Sequence, residues 1–322
     1  MAEKKKIYVR SAAALGPWAD TDASGRKALA GEPQRADLQE ALSKLCGLNL
    51  RRAGHLSELA LVGSQTAVKR LGRAMEPATR VYFATGIGEV SNTRELFKQV
   101  FSEGGSNPSP YAFVSSSSNT TAFYVAKAAG LKSQNMTVCQ EEFSFEWALS
   151  LASSDLGSGT TDAAIVGGAD EYCPPRSEHI YRLPLRDAQA MGEGSGWLCL
   201  STGKTGAIGE VACIRDFFFD KEDRGALAKE AAAIINDCGF AGEKTFLLPG
   251  FRLDGADVDG ITGRVPGMEA VRYTRLCGAF HTASAFAAAS VFDERGNGPC
   301  VYFHVNTDTS GRAFIFAIIA YS

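Results

Sequence analysis

Residues 135–170 read NMTVCQEEFSFEWALSLASSDLGSGTTDAAIVGGAD, and the order of the parts in this stretch decides the fold. Residues 136–139 are short and apolar, with β-branched Thr137 and Val138, which predicts a strand. Trp147, Ala148, Leu151 and Ala152 then recur at helical spacing. Residues 163–166 form an apolar run closed by Gly167-Gly168, a second strand. A strand that enters a buried helix through a tight turn is where many α/β enzymes hold a nucleophile. Here the turn is Gln140-Glu141-Glu142-Phe143, so a carboxylate stands where a nucleophile would.

Outward from this stretch the pattern alternates. On the N-terminal side we expect strands over 7–15 and 80–84 and helices over 37–48, 56–73, 93–101 and 120–129. A Gly/Ser/Pro loop covers 104–110, and the serine run 115–119, ending at Asn119, suits a helix N-cap. On the C-terminal side, 171–186 is irregular and 254–267 is polar and loop-like. Strands are expected over 197–200, 208–214, 245–248, 300–305 and 313–319, and helices over 224–238 and 281–291. Strands alternating with helices predict an α/β fold with a largely parallel sheet covered on its faces. Each half of the chain starts with a strand, continues through helices and ends on paired apolar strands, which predicts two similar halves.

The chain has 322 residues, 45% of them hydrophobic and 21% charged, with a net charge of −3. That is ordinary soluble globular composition, large enough for a sizeable core and without an electrostatic footprint for nucleic acid. The basic start, Lys4-Lys5-Lys6, is followed by an apolar run too short for a signal peptide, and no window is long enough to span a membrane. The expected location is cytoplasmic. The eight cysteines are scattered singly, with no CxxC, which predicts buried reduced thiols. The four histidines show no ligand spacing, so neither a metal nor a cofactor is expected. Thr202-Gly203-Lys204-Thr205-Gly206 lacks the spacing of a P-loop, and Phe217-Phe218-Phe219 is expected to be core.

Several motifs, in order, carry a resemblance. They are Thr85-Gly86-Ile87-Gly88, the helix led by Asn119, Asp162-Ala163-Ala164-Ile165-Val166-Gly167-Gly168, Asp187 with Gly192-Glu193-Gly194-Ser195-Gly196, Gly206 to Val211, Gly278 to Ala285, and Asn306 to Gly311. Together they resemble the β-ketoacyl synthases, the condensing enzymes of the thiolase fold, over nearly the whole chain. The resemblance implies two thiolase-like halves, residues 1–205 and a shortened 206–322, in a layered αβαβα architecture. The family condenses acyl chains with a cysteine at a helix N-terminus, whose dipole lowers the thiol pKa, and with two histidines.

That catalytic set does not carry over. Anchored on Thr137-Val138, the nucleophile position holds Glu142, and Cys139 lies three residues earlier, on the strand. The first histidine position falls at Pro249 and the second at Ala279, with His281 two residues on as a candidate residual histidine. Thr274 takes the place of the family's lysine, beside Arg275. Glu142 has three readings: a plug without chemistry, a promoter of malonyl-thioester decarboxylation, or a register one residue off, with Glu141 or Gln140 in the turn.

The family also contains catalytically empty chain-length factors, including those of aryl-polyene systems. They pair with an active synthase and shape the pocket for the growing chain. The resemblance therefore implies a non-catalytic subunit that pairs with an active β-ketoacyl synthase in polyketide or fatty-acid-type elongation and meets acyl carrier protein indirectly. Strand 136–139 with Val138 would lie at the subunit interface, and Asn119, Thr120, Phe123 and Phe143 would face the shared pocket. A malonyl-thioester decarboxylase using Glu142 and a self-associating homodimer of the same fold are the alternatives.

Overall fold

The structure, a computed structural model, describes residues 5–18, 28–29, 35–46, 53–102, 108–174, 177, 183, 185, 190–223, 225–240, 242–293 and 298–321. Its strands are β1 (Ile7–Leu15), β2 (Arg80–Ala84), β3 (Asn135–Val138), β4 (Ala163–Asp170), β5 (Gly194–Ser201), β6 (Gly209–Phe218), β7 (Lys244–Pro249), β8 (Glu269–Ala270), β9 (Cys300–Thr307) and β10 (Arg312–Ala320). They form one ten-stranded sheet in the order β3-β2-β4-β5-β1-β6-β10-β9-β7-β8.

That order is the same half twice. Outward from the middle it runs β1-β5-β4-β2-β3 on one side and β6-β10-β9-β7-β8 on the other. β2 is parallel to β3 and β4, as β7 is to β8 and β9. β1 and β6 meet antiparallel, with Ile7 opposite Val211 and Val9 opposite Gly209. Each central strand also carries one extra residue at its fourth position. On β1 this is Arg10, between the pairs Val9–Leu200 and Ser11–Cys199. On β6 it is Ala212, between Ile318–Val211 and Ala317–Cys213. A bulge shifts which side chains face a given side. Ile7 and Val9 therefore share one core with Ala12 and Ala14, while Ala13 and Leu15 face another. The proposed division into residues 1–205 and 206–322 falls in the connection between β5 and β6.

Three cores separate five layers. Helices α1 (Gln39–Cys46), α2 (His55–Arg70) and α5 (Asn119–Ala128) cover the outer face of the first half, where Leu42, Leu59 and Val125 share a core with Phe83, Ile165 and Trp197. Helices α7 (Ala226–Asp237) and α8 (Gly255–Thr262) cover the second half, with Ile235 and Ile261 beside Phe303 and Ile315. Between the halves lie α6 (Ser144–Gly157) and α10 (Ala283–Ser290), in a core that takes Tyr82 and Val166 from one half and Leu248 and Phe316 from the other. This is the αβαβα arrangement. Other α-helices are α3 (Val90–Phe101), α4 (Pro110–Ser115) and α9 (Thr274–Cys277).

Small residues let the central layer close. A Cβ on Gly196 would lie 1.9 Å from the Ala285 carbonyl oxygen, and one on Gly168 would lie 2.9 Å from the Thr282 Cβ. Gly168 and Gly196 thus admit the alanine-rich α10. Since Gly196 faces helix backbone, which yields little, Gly196→Ala is expected to cost about 3 kcal/mol or more, read from the urea midpoint.

Four expectations need correction. The sheet is mixed and not largely parallel, because β9 and β10 are joined by a hairpin and β5, β1, β6 and β10 all pair antiparallel. The segment 254–267 holds α8, whose start is closed by reciprocal bonds: Asp257 N to Asp254 Oδ1 at 2.8 Å and Asp254 N to Asp257 Oδ2 at 3.1 Å. The cysteines form no disulfide among the described residues, but Cys139 is exposed and Cys46, Cys213 and Cys238 are half-buried; Phe218 is 72% exposed. Residues 47–52, 104–107, 186–189 and Arg224, which entered the sequence reading, lie outside the described residues. Among the described residues no helix is long and apolar enough to cross a membrane.

Candidate functional site

The turn between β3 and α6 is held by its own side chains. Gln140 N donates to Ser144 Oγ at 2.8 Å, and Ser144 Oγ donates to the Glu141 carbonyl at 2.8 Å. Glu141 sits at φ 46°, the one non-glycine residue with positive φ among the described residues. A glutamate in that region is strained and persists only where its surroundings over-determine it. The strain leaves Glu141 exposed and turns Glu142 inward, where it is 4% exposed. Of Gln140, Glu141 and Glu142, the residues weighed for this place, Glu142 is the buried one.

Glu142 meets Arg252. Arg252 Nε donates to Glu142 Oε1 at 2.8 Å, and a second guanidinium nitrogen contacts the same oxygen. Both side chains are largely buried. Arg252 comes from the loop after β7, which also holds Pro249, buried at the strand end. Asn306 of β9 sits behind the pair. Its amide donates to the Glu142 carbonyl at 2.8 Å and to Glu146 Oε1 at 2.9 Å. Gly250 passes so close to Asn306 that a Cβ there would lie 2.5 Å from Asn306 Oδ1.

A second polar layer lies below. Glu146 is fully buried one turn after Glu142, and its carboxyl is pushed up to about 7, chiefly by burial, with Asn306 opposing. His304 is fully buried and burial pushes it down to about 3, so the ring is neutral. Its Nε2 lies 3.0 Å from Tyr273 Oη and its ring stacks on Phe316 at 4.8 Å.

The two histidine positions are apolar or closed. Ala279 is buried in a small cluster with Leu183 and Phe251. His281 is 2% exposed and packs on Gly86, whose Cβ would lie 2.1 Å from the His281 Cβ. Next to it, Thr282 N and Oγ1 donate to Asp170 Oδ2 at 2.9 and 2.8 Å, and Thr85 Oγ1 donates to Asp170 Oδ1 at 2.7 Å. Asp170 therefore ties the ends of β2 and β4 to the start of α10.

The pocket candidates separate into two places. Asn119 Oδ1 accepts from Ser117 Oγ at 2.6 Å, Thr120 Oγ1 donates to the Val114 carbonyl at 2.7 Å, and Phe123 is 52% exposed. These three lie on α5, which packs on β3; Val138 of that strand is half-buried against the central core. Phe143 is elsewhere, 3% exposed, with its ring 5.4 Å from that of Phe314 on β10. Neither Arg252 nor Tyr273 carries a local signal in the sequence. Glu146 had one: it falls four residues after Glu142, on the same face of an apolar helix.

The glutamate of the 192–196 motif is structural. Glu193 accepts from Ala36 N, Tyr172 N and His55 Nε2 at 3.0, 3.0 and 2.9 Å. Burial alone would push His55 down, but the bonds to Glu193 and Glu58 outweigh it and hold it up at about 9. Among the described residues no cluster of His, Cys, Asp or Glu is placed to hold a metal ion.

Comparison with known proteins follows the same line. The family model for the N-terminal domain of β-ketoacyl synthases matches residues 19–182, just over half of the chain. No curated protein matches by sequence. Among solved structures, the ishigamide ketosynthase/chain length factor is similar at 19% identity and a TM-score of 0.78, covering 98% of this chain and 100% of that one. A chain of AntDE:AntF, a type II PKS acyl-carrier protein in complex with its ketosynthase, is similar at 14% identity and 0.78, covering 99% and 100%. A β-ketoacyl synthase from Burkholderia phymatum STM815 is similar at 15% identity and 0.74, covering 99% and 100%.

Proposed function

The chain belongs to the β-ketoacyl synthase family, and we propose that within it the chain is a non-catalytic subunit, similar to a chain-length factor, that pairs with an active synthase and walls its acyl pocket. The observation that carries this reading is the buried Glu142–Arg252 pair at the position where the family has its nucleophile. An ionised carboxylate held by a guanidinium is neither a thiolate nor a hydrogen-bond donor to a thioester. Pro249 and Ala279 offer no acid or base at the histidine positions. The pair also argues against the decarboxylase alternative, since Arg252 already occupies the carboxylate.

Two features support the pairing. β3 is an edge strand, with β2 on one side and no neighbour on the other among the described residues. Phe97, Phe101, Tyr111, Phe113 and Phe123, on α3, α4 and α5, are each more than half exposed. An open edge and apolar side chains of this size mark an association surface. The partner in this reading is a complete synthase carrying cysteine and two histidines, which receives the acyl carrier protein. The subunits would join β3 to β3 in the cytoplasm.

The test is co-expression with candidate synthases, followed by chromatography and mass analysis of the products. Co-elution with one synthase, and a product length that changes when Phe123 is replaced, is the expected result. A chain that elutes only with itself beside every candidate favours the homodimer and overturns the reading. Glu142→Ala is expected to leave co-elution intact, checked on the same column, because Glu142 lies inside the subunit.

A further inference from the structure

The buried polar layer beneath Glu142 joins elements that are far apart in the chain. Glu146 comes from α6, in the first half. His304 and Asn306 come from β9, Tyr273 from the turn before α9, and Ser284 from α10, all in the second half. Asn306 grips both α6 and the Glu142 turn, with 2.8 Å to the Glu142 carbonyl and 2.9 Å to Glu146 Oε1. Glu146 Oε1 lies 3.7 Å from His304 Nδ1. Glu146 Oε2 and His304 Nδ1 are buried without a hydrogen-bond partner, and the Ser284 hydroxyl faces Glu146.

Two orphaned polar atoms in one core, one on a carboxyl group and one on a neutral imidazole, are costly unless a proton lies between them. An ionised Glu146 brings acceptors only. A protonated Glu146 brings one donor, and His304 Nδ1 offers a lone pair when Nε2–H donates to Tyr273. Burial outweighs the groups that face Glu146, which oppose one another. Glu142 on the preceding turn is a like charge that disfavours its ionisation, whereas Asn306 from β9 and Ser284 from α10 favour it. Arg252 is committed to Glu142. Burial pushes Tyr273 well up, and Cys277 on α9 adds to this, so neither supplies a positive charge. β10 contributes Phe314 and Phe316, which carry no charge.

We infer that Glu146, His304, Tyr273 and Asn306 form a proton-dependent clasp between α6 and the second half of the chain, closed when Glu146 is a neutral acid and loosened when it ionises, with the Glu142 turn seated or released accordingly. The clasp does not depend on which partner binds, so its failure would leave the proposed function standing.

The sign follows from the direction of the shift. Glu146 is raised from 4.5 to about 7, so the stability it contributes is whole below its ordinary value and is lost as the pH rises through about 7. Glu146→Gln keeps the shape and a donor but cannot ionise. The melting temperature of the wild type relative to Glu146→Gln should therefore fall by about 5 °C between pH 4.5 and 8 and level off above that. In the infrared, the protonated carboxylic acid band of the wild type at pH 6 should fall in part in Glu146→Gln and in part in Glu89→Gln, since burial also pushes Glu89 up to about 7. Amide exchange over 140–146, corrected for intrinsic rate, should accelerate above pH 7 in the wild type and not in Glu146→Gln. Parallel pH profiles for the two proteins, or no acid band assignable to Glu146, would overturn the inference. If Glu146→Gln fails to fold, the wild-type exchange profile decides alone: protection over 140–146 that does not change from pH 6 to 8.5 overturns it.

Discussion

Arg252→Ala is expected to cost the fold about 3–5 kcal/mol, read as a fall in the urea midpoint. Glu142 is the reason. Its side chain is 5% exposed, and the Asn306 amide that reaches this turn bonds its backbone carbonyl, not its carboxylate. Without the guanidinium the carboxylate keeps only the N-terminal dipole of α6, which is worth about 0.3–1 kcal/mol. That does not offset the burial of a lone charge. The cost belongs to the broken pair and not to the lost arginine packing, so it should largely vanish when both members are replaced. Glu142→Met with Arg252→Leu exchanges an ion pair for apolar groups of similar volume, a change that is often neutral or stabilising. A double-mutant cycle separates the terms. A single-variant loss below about 1 kcal/mol would class the pair with ordinary surface bridges and remove the plug from the functional argument.

Much of this architecture can be read from the chain, and the part that cannot has a physical cause. Apolar alternation and paired glycines mark β4 and β5, because a strand under an alanine-rich helix needs both. The repeat of the two halves is not visible in residue identity. It lies in strand order and in the bulges at Arg10 and Ala212, which are properties of register. The α8 segment reads as loop in the sequence because its start is rich in aspartate and glycine, although Asp254 and Asp257 are the reciprocal caps that begin it. Glu142 is legible as a residue out of place. Its partner is not, since Arg252 lies 110 positions away and only the fold brings them together. Phe143 shows the converse. A bulky residue beside a nucleophile turn suggests a pocket wall, yet its ring lies in the core against Phe314.

The assembly surface gives the other large effect. Val138→Asp is expected to abolish co-elution with the partner synthase. β3 lies at the sheet edge, Val138 is its last residue, and a charge there must lose its water when a second strand joins. Val138 also packs against the central core, so this variant should melt lower even when alone. Phe123→Glu isolates the interface, because Phe123 is 52% exposed and its loss leaves little unburied in the subunit. Truncating an aromatic anchor at an interface costs about 2–4 kcal/mol, which is about a hundredfold in affinity. Phe123→Glu should therefore keep the melting temperature of the wild type and weaken the complex about a hundredfold, measured by titration calorimetry against the purified synthase. Full affinity in Phe123→Glu, together with co-elution of a folded Val138→Asp, would place the partner on another face of the molecule.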